Sequence, residues 1–167
     1  CISLIEKTVK SVIQHKNYLD IEYIVVDGKS TDGTLEYLKN IPEIDILISE
    51  NDEGFSDALN KGMQIASGEI MGWLNAGDFY LTNSLNLISK IFQKFIFVNW
   101  VTSRYHLTAD EKGVIFKISD SKCFASDFFQ IGRYSKINNC SFGNGIQQES
   151  TFWRKNLWLK SGSYINK

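Results

Sequence analysis

Apolar and polar positions alternate along this chain in two rhythms. Over residues 4–14, Leu4, Ile5, Val9, Val12 and Ile13 recur near helical spacing with Glu6, Lys7 and Lys10 between them, so an amphipathic helix is expected. Residues 21–26 form a short β-branched run, as in a strand buried on both faces, and it stops at Asp27-Gly28. Capping residues follow at Ser30, Thr31 and Asp32, then a helical pattern over 35–40 that Pro42 breaks. The rhythm then repeats. A strand is expected over 44–49, a loop at Asp52-Glu53-Gly54, a helix over 56–66 stopped by Ser67-Gly68, a strand over 69–74 ending in Asn75-Ala76-Gly77-Asp78, and a helix over 83–92. Strand, loop and helix in this order, three times over, predict an α/β fold with a mostly parallel, Rossmann-like sheet flanked by helices.

Beyond Phe95 the texture changes. Residues 95–105 and 114–118 read as strands joined by a hairpin turn around 109–113, residues 119–144 as irregular, and residues 148–160 as a helix stopped by Ser161-Gly162. No repeat or linker interrupts the chain. One domain is expected over 1–167, in two halves, 1–94 and a variable 95–167.

Composition narrows the function. With 43% apolar and 22% charged residues in 167, the chain has the makings of a globular core. A net charge of -1 gives no electrostatic footprint for nucleic acid. No apolar run is long enough to span a membrane, and no signal peptide is visible. Cys1, Cys123 and Cys140 are odd in number and lack metal-ligand spacing, which fits reduced cysteines in a cytoplasmic protein.

Candidate chemistry follows from the strand ends. Ligands of open parallel sheets bind outside the carboxyl ends of the strands. Asp27 and Asp78 fall at such ends, and the loop 51–54 is a third. Carboxylates gathered on one edge call for a cation, and a divalent metal with a diphosphate supplies it; each of these acids is otherwise a turn former. Asp32 reads as a helix cap. Asp57, Asn60 and Lys61 lie at i, i+3 and i+4 and share a helix face, where Asp57 either meets a ligand or supports the helix start and Lys61 either meets a ligand or is solvated. Glu149, near Phe152 and Trp153, is either a general base with a raised pKa or an ordinary helix-start glutamate.

Four strings, in order, carry a resemblance: IEYIVVDGKSTDGT at 21–34, DEGFSDALNKG at 52–62, GEIMGWLNAGD at 68–78 and QQESTFWR at 147–154. Together they resemble the family 2 glycosyltransferases of GT-A fold, in the form found in bacterial polysaccharide biosynthesis. The resemblance implies an inverting transfer from a nucleotide-diphosphate sugar, usually UDP-linked, to a hydroxyl of a growing surface polysaccharide or lipid-linked glycan. It implies that Asp27 contacts the base, that Ser30, Asp57, Lys61 and Asn75 line the nucleotide-sugar site, that Asp78 holds Mn2+ or Mg2+, and that Glu149 is the catalytic base. A lipid-linked acceptor is compatible with a peripheral position at the inner face of the cell membrane, and acceptor contacts are expected over 105–144.

The chain also departs from the family pattern. Gly77 and Asn75 stand where many members carry further acids, leaving Asp78 as the metal carboxylate, and an arginine common near position 59 is absent. The family's first strand would precede Cys1, so the 167 residues are expected to be an N-terminally truncated piece, unstable or inactive alone. The alternatives are a non-catalytic nucleotide-sugar-binding relative and a nucleotidyltransferase. A dinucleotide oxidoreductase is disfavoured because no G-x-G-x-x-G follows a strand.

Overall fold

The computed structural model describes residues 2–110, 112–120 and 147–165. They form, in order, α1 (Ile2–Lys16), β1 (Ile24–Asp27), α2 (Thr34–Lys39), β2 (Ile46–Ser49), α3 (Phe55–Ile65), β3 (Ile70–Gly72), α4 (Ser84–Lys94), β4 (Trp100–Val101), β5 (Tyr105–Ala109), β6 (Ile115–Asp120), a 3-10 turn (Gln148–Ser150), β7 (Phe152–Arg154) and α5 (Lys155–Lys160). The repeating strand-helix order expected over the first half is present, and the fold is α/β. Two compact units emerge, one of Cys1–Trp100 with Phe152–Lys167 and one of Val101–Thr151. The contacts therefore return the C-terminal segment to the first unit, where the sequence suggested a single division at 94/95.

In the first unit β1 and β2 pair in parallel, with Asp27 opposite Ser49 at their carboxyl ends. β3 pairs antiparallel with β7, and β4 lies on the other side of β7. Among the described residues β1 pairs with β2 alone and β3 with β7 alone, so each keeps one open edge. A cavity of about 1140 Å³ separates them, walled by Ile24 and Val26 of β1, Met71 of β3, Val12 of α1 and Ile88 of α4. Helix α3 approaches β1 through Gly62, where a Cβ would stand 3.3 Å from Val26 Cγ2. Met63, Met71 and Trp158 form a buried cluster, joined by Trp73, Trp153 and Ile165.

The expected helix over 148–160 is corrected: a strand, β7, occupies its middle. Thr151, Phe152 and Trp153 are β-branched or aromatic and favour a pleated surface, and β3 offers a place for the large ring. Phe152 lies opposite Gly72, and a Cβ on Gly72 would come within 2.6 Å of Phe152 Cδ1. Arg154 then fixes the strand by donating to the carbonyls of Val98 (2.9 Å) and Phe92 (2.7 Å) while pairing with Glu69. The expected strand over 95–105 shrinks to β4 and the start of β5. Phe95 N donates to Ile91 O and Val98 N to Phe95 O, so helix α4 unwinds through a turn.

The second unit carries the expected hairpin. β5 and β6 pair antiparallel around a turn in which Asp110 N donates to Val114 O and Gly113 N to Asp110 O. Arg104 grips both oxygens of Asp120 at its base, at 2.8 and 2.9 Å. Strand β6 extends the expected 114–118 to Asp120; the remainder of the segment read as irregular, 121–144, lies outside the described residues.

Helix α1 buries polar as well as apolar side chains, namely Thr8, Val9, Ser11, Val12 and His15. His15 is fully buried; its Nε2 lies 3.2 Å from Leu81 O, and its Nδ1 lies 2.6 Å from the Tyr18 hydroxyl. A neutral ring with its proton on Nε2 satisfies both contacts. Burial pushes the His15 pKa down, against a smaller upward pull from the Leu81 carbonyl. The unfolded chain therefore binds a proton that the folded chain refuses, and stability is lost as pH falls below the ordinary histidine value of about 6.5. The thermal midpoint is expected to drop from pH 7.5 to 5.5, and the drop should flatten in H15Q, as read by circular dichroism melts across that range.

Candidate functional site

The site is built from the loops that follow β1 and β3, with α1 between them. The first helical turn of α1 touches both: a Cβ on Gly33 would lie 3.1 Å from Ile2 Cδ1, and one on Gly77 3.9 Å from Leu4 Cβ. Asp27 ends β1 and is buried, at 6% exposure. Its Oδ2 accepts the Ser30 N–H at 3.0 Å and the Ser49 hydroxyl at 2.7 Å. Burial alone would raise its pKa, but hydrogen bonds from the Ser30 and Ser49 side chains and from the Ser30 and Lys29 amides outweigh it, holding the carboxyl below the usual range. Asp27 is thus an ionised acceptor, fixed at a strand end.

Gly28 lets a second carboxylate approach. A Cβ there would stand 2.6 Å from Asp52 Oδ2, so Asp52 rests directly on the backbone beside Asp27, and its Oδ1 accepts Gly54 N–H at 2.9 Å. Ser49 was absent from the residues singled out by sequence, and Asp52 entered only as part of the loop 51–54. The paired ends of two parallel strands signal the first, and the glycine following Asp27 signals the second. Asp32, expected as the cap of α2, stands one residue before the cap, which is Gly33; it accepts Thr34 N–H at 3.2 Å, and bonds from the Thr34 hydroxyl and amide take its pKa to about 2.

Asp57 and Lys61 pair at 3.0 Å across one turn of α3, and Lys61 also meets Glu50 (2.9 Å) and Asn51 O (3.0 Å). Lys61 therefore ties the loop 50–54 to α3. Asp57 also accepts Glu53 N–H at 3.1 Å. Asn60, grouped with these two on helical spacing, is instead buried and bonds both backbone groups of Ile165, at 3.0 and 2.8 Å. The inner edge of the helix face belongs to the core.

Asn75 and Asp78 share one turn, closed by Asp78 N donating to Asn75 O at 3.1 Å. Gly77 within it has φ +102°, a conformation that strains an acidic residue, so the turn is shaped for glycine. Helix α1 holds this segment through a ladder of hydroxyls. Thr8 Oγ1 accepts Gly77 N–H (2.9 Å) and donates to Asp78 O (2.8 Å), Ser11 Oγ accepts Tyr80 N–H (3.1 Å), and His15 meets Leu81 O.

Glu149 lies in the 3-10 turn of the second unit, where Oε1 accepts from Gln148 Nε2 at 3.2 Å. The aromatic residues near it in sequence are spent on packing in the first unit. Phe152 meets Tyr80, and Trp153 meets Trp73 edge-on at 6.2 Å between centroids. Among the described residues no group of three or more His, Cys, Asp or Glu side chains gathers to hold a metal, and no helix is long and apolar enough to cross a membrane.

Comparison with known proteins bears on this arrangement. The model of the family described as Glycosyl transferase family 2 matches residues 1–151. A Campylobacter jejuni protein named GalNAc(5)-diNAcBac-PP-undecaprenol beta-1,3-glucosyltransferase is 29% identical over 98% of this chain and 58% of its own length. An Escherichia coli protein, the UDP-Glc:alpha-D-GlcNAc-diphosphoundecaprenol beta-1,3-glucosyltransferase WfaP, is 28% identical over 66% of this chain and 44% of its own. Among solved structures, Staphylococcus aureus TarS residues 1–349 shares the fold, with a TM-score of 0.69 at 15% identity over 99% of this chain and 48% of that one. TarS was also solved with UDP-GlcNAc, and that structure matches with a TM-score of 0.69 at 15% identity over 97% of this chain and 44% of that one. The chain thus spans about half the length of the relatives it matches.

Two substitutions test the local architecture. T8V leaves Gly77 N–H and Asp78 C=O without the Thr8 hydroxyl, which costs about 1–3 kcal/mol in urea unfolding, whereas T8S restores most of it. S49A removes one bond to Asp27, so burial is less opposed and the Asp27 pKa rises. The stability this carboxylate contributes is present above its unfolded pKa of about 3.9 and lost as pH falls through the folded value. The acid limb of the urea midpoint should therefore shift to higher pH in S49A.

Proposed function

The chain belongs to glycosyl transferase family 2, and we propose that it binds a nucleotide-diphosphate sugar, UDP-linked, and transfers the sugar with inversion to a hydroxyl of a lipid-linked glycan. The observation that carries this reading is the buried, ionised Asp27 at the carboxyl end of β1, set beside Ser30 and held by Ser49. A fixed carboxylate accepts well from an imide N–H such as that of uracil, and recognition by a preset acceptor discriminates strongly against bases lacking the donor. The UDP ligands in the TarS crystals and the UDP-Glc donor in the WfaP name support the same choice.

The turn at Asn75 and Asp78 offers hard oxygen donors, a carboxylate with an amide or backbone carbonyl, which suit Mg2+ or Mn2+ completed by phosphate oxygens and water. Asp78 and Asn75 would hold the ion, and when bound it supplies Lewis-acid stabilisation of the departing diphosphate. The α1 ladder keeps the turn in place from behind. Lys61 and Asp57, joined to each other, stiffen the loop 50–54 that borders the nucleotide.

Glu149 would take the proton of the acceptor hydroxyl as its oxygen bonds to the anomeric carbon. The bond from that carbon to the diphosphate oxygen breaks on the opposite face, and the nucleoside diphosphate leaves with the electron pair. One displacement inverts the centre. The β-linkages in the two relatives' names support inversion, since a glucosyl nucleotide donor is ordinarily α-linked. Their undecaprenol acceptors support a glycan presented at a membrane surface, with this domain peripheral to it.

Calorimetric titration of UDP with and without Mn2+ tests the donor site. Metal-dependent binding that D78A abolishes is expected; binding indifferent to metal and to Asp78 would remove the assignment. E149Q should leave UDP affinity intact while lowering transfer from UDP-glucose to a diphosphoundecaprenol-linked glycan by about 100-fold or more, the range of a lost general base. Unchanged transfer would exclude Glu149 as the base.

A further inference from the structure

We infer that Lys29 grips the diphosphate of the donor, acting as a second cation at the site; this rests on reading the site as one for a nucleotide sugar. Lys29 sits two residues beyond the end of β1 with φ +64°, in the left-handed region that side chains with a Cβ resist and glycine enters freely. The conformation is imposed by Asp27. Its carboxylate collects the amides of Lys29 and Ser30, so the chain wraps around it within a single turn. Glycine would make this turn without strain, as Gly33, Gly54 and Gly77 do at other positive-φ positions near the site. A lysine there brings a side chain for which the backbone has no use.

The surroundings say what that side chain meets. Asp27 lies on one side of Gly28 in sequence and Asp52 rests on its backbone, so a nucleotide whose base meets Asp27 brings its diphosphate past negative charge. A cation is needed to offset it. Lys61, the lysine the motif suggested, has its ammonium occupied by Glu50, Asp57 and Asn51 O. Lys29 is exposed, and among the described residues its ammonium has no ion pair or hydrogen bond. An ammonium on a flexible stem is a compact point charge that can follow phosphate oxygens through small changes of pose. The strained turn sets the root of that stem beside the nucleotide acceptor, and the acidic rim leaves the anionic part of the ligand as its counter-charge.

The inference separates phosphate from base. UDP and uridine are titrated calorimetrically into the unsubstituted chain, K29M and K29G, at low and moderate salt. K29M and K29G are expected to weaken UDP about tenfold, with a shallower salt dependence, and to leave uridine unchanged. K29G should at the same time melt at a higher temperature than the unsubstituted chain, because it relieves the left-handed strain. Gain of stability with loss of UDP affinity is the signature of a residue kept for its ligand. Equal UDP affinity in both variants overturns the proposal, as does an equal loss for uridine, which would put Lys29 on the base or ribose. A K29G melting temperature no higher than the parent's also overturns it, by removing the strain. If the unsubstituted chain binds neither UDP nor uridine, the nucleotide reading itself fails, and this inference fails with it.

Discussion

The hydroxyl and imidazole ladder along α1 is the constraint on which the Asp78 side of the site depends. Thr8, Ser11 and His15 fall on one face of the helix and are buried, which is expensive for polar groups unless each finds a partner. They find them in the backbone of residues 77–81. That stretch is a loop, with no strand or helix of its own to satisfy its amides and carbonyls. Helix α1 supplies what secondary structure does not, and in doing so settles where the Asp78 turn lies relative to the helix. The arrangement also explains why the inner face of α1 is not simply apolar: Val9 and Val12 fill space, while the polar rungs between and beyond them fix position.

At the carboxyl end of β1 the organising group is Asp27. A carboxylate at 6% exposure would be poorly tolerated if left alone, but it is surrounded by donors from its own turn and from the adjacent strand. The parallel register of β1 and β2 places Ser49 across from it, so the setting of this carboxylate depends on strand pairing and not on the loop alone.

Much of this was legible in the sequence, for physical reasons that differ by region. The strands and helices of residues 21–94 alternate cleanly because each strand is a short apolar stretch followed by turn formers. Asp27 could be read as a strand-end acid from position alone, whereas Asp78, expected at the end of a strand over 69–74, lies six residues beyond β3 in the loop that α1 holds. What could not be read depended on partners distant in the chain. The segment at Phe152 has a helix-like spread of apolar residues, and it becomes a strand because Gly72 leaves room for the ring, a fact visible only when β3 and β7 are side by side. Ser49 and the Thr8 ladder carry no local motif. Lys61 looked like a ligand lysine because spacing cannot show that Glu50 and Asp57 claim its ammonium, and Lys29 was passed over because its backbone angle is invisible in one dimension.

The open edges of β1 and β3, which line one cavity, have a consequence for what this chain can pair with. An open edge presents backbone amide hydrogens and carbonyl oxygens to whatever lies beside it. Neither edge is guarded by a proline or a bulge, and Ile24, Val25, Val26 and Ile70 are the residue types that stack most readily into further sheet. Among the described residues these two strand edges are therefore the stretches of the first unit best suited to pair with strands of another molecule.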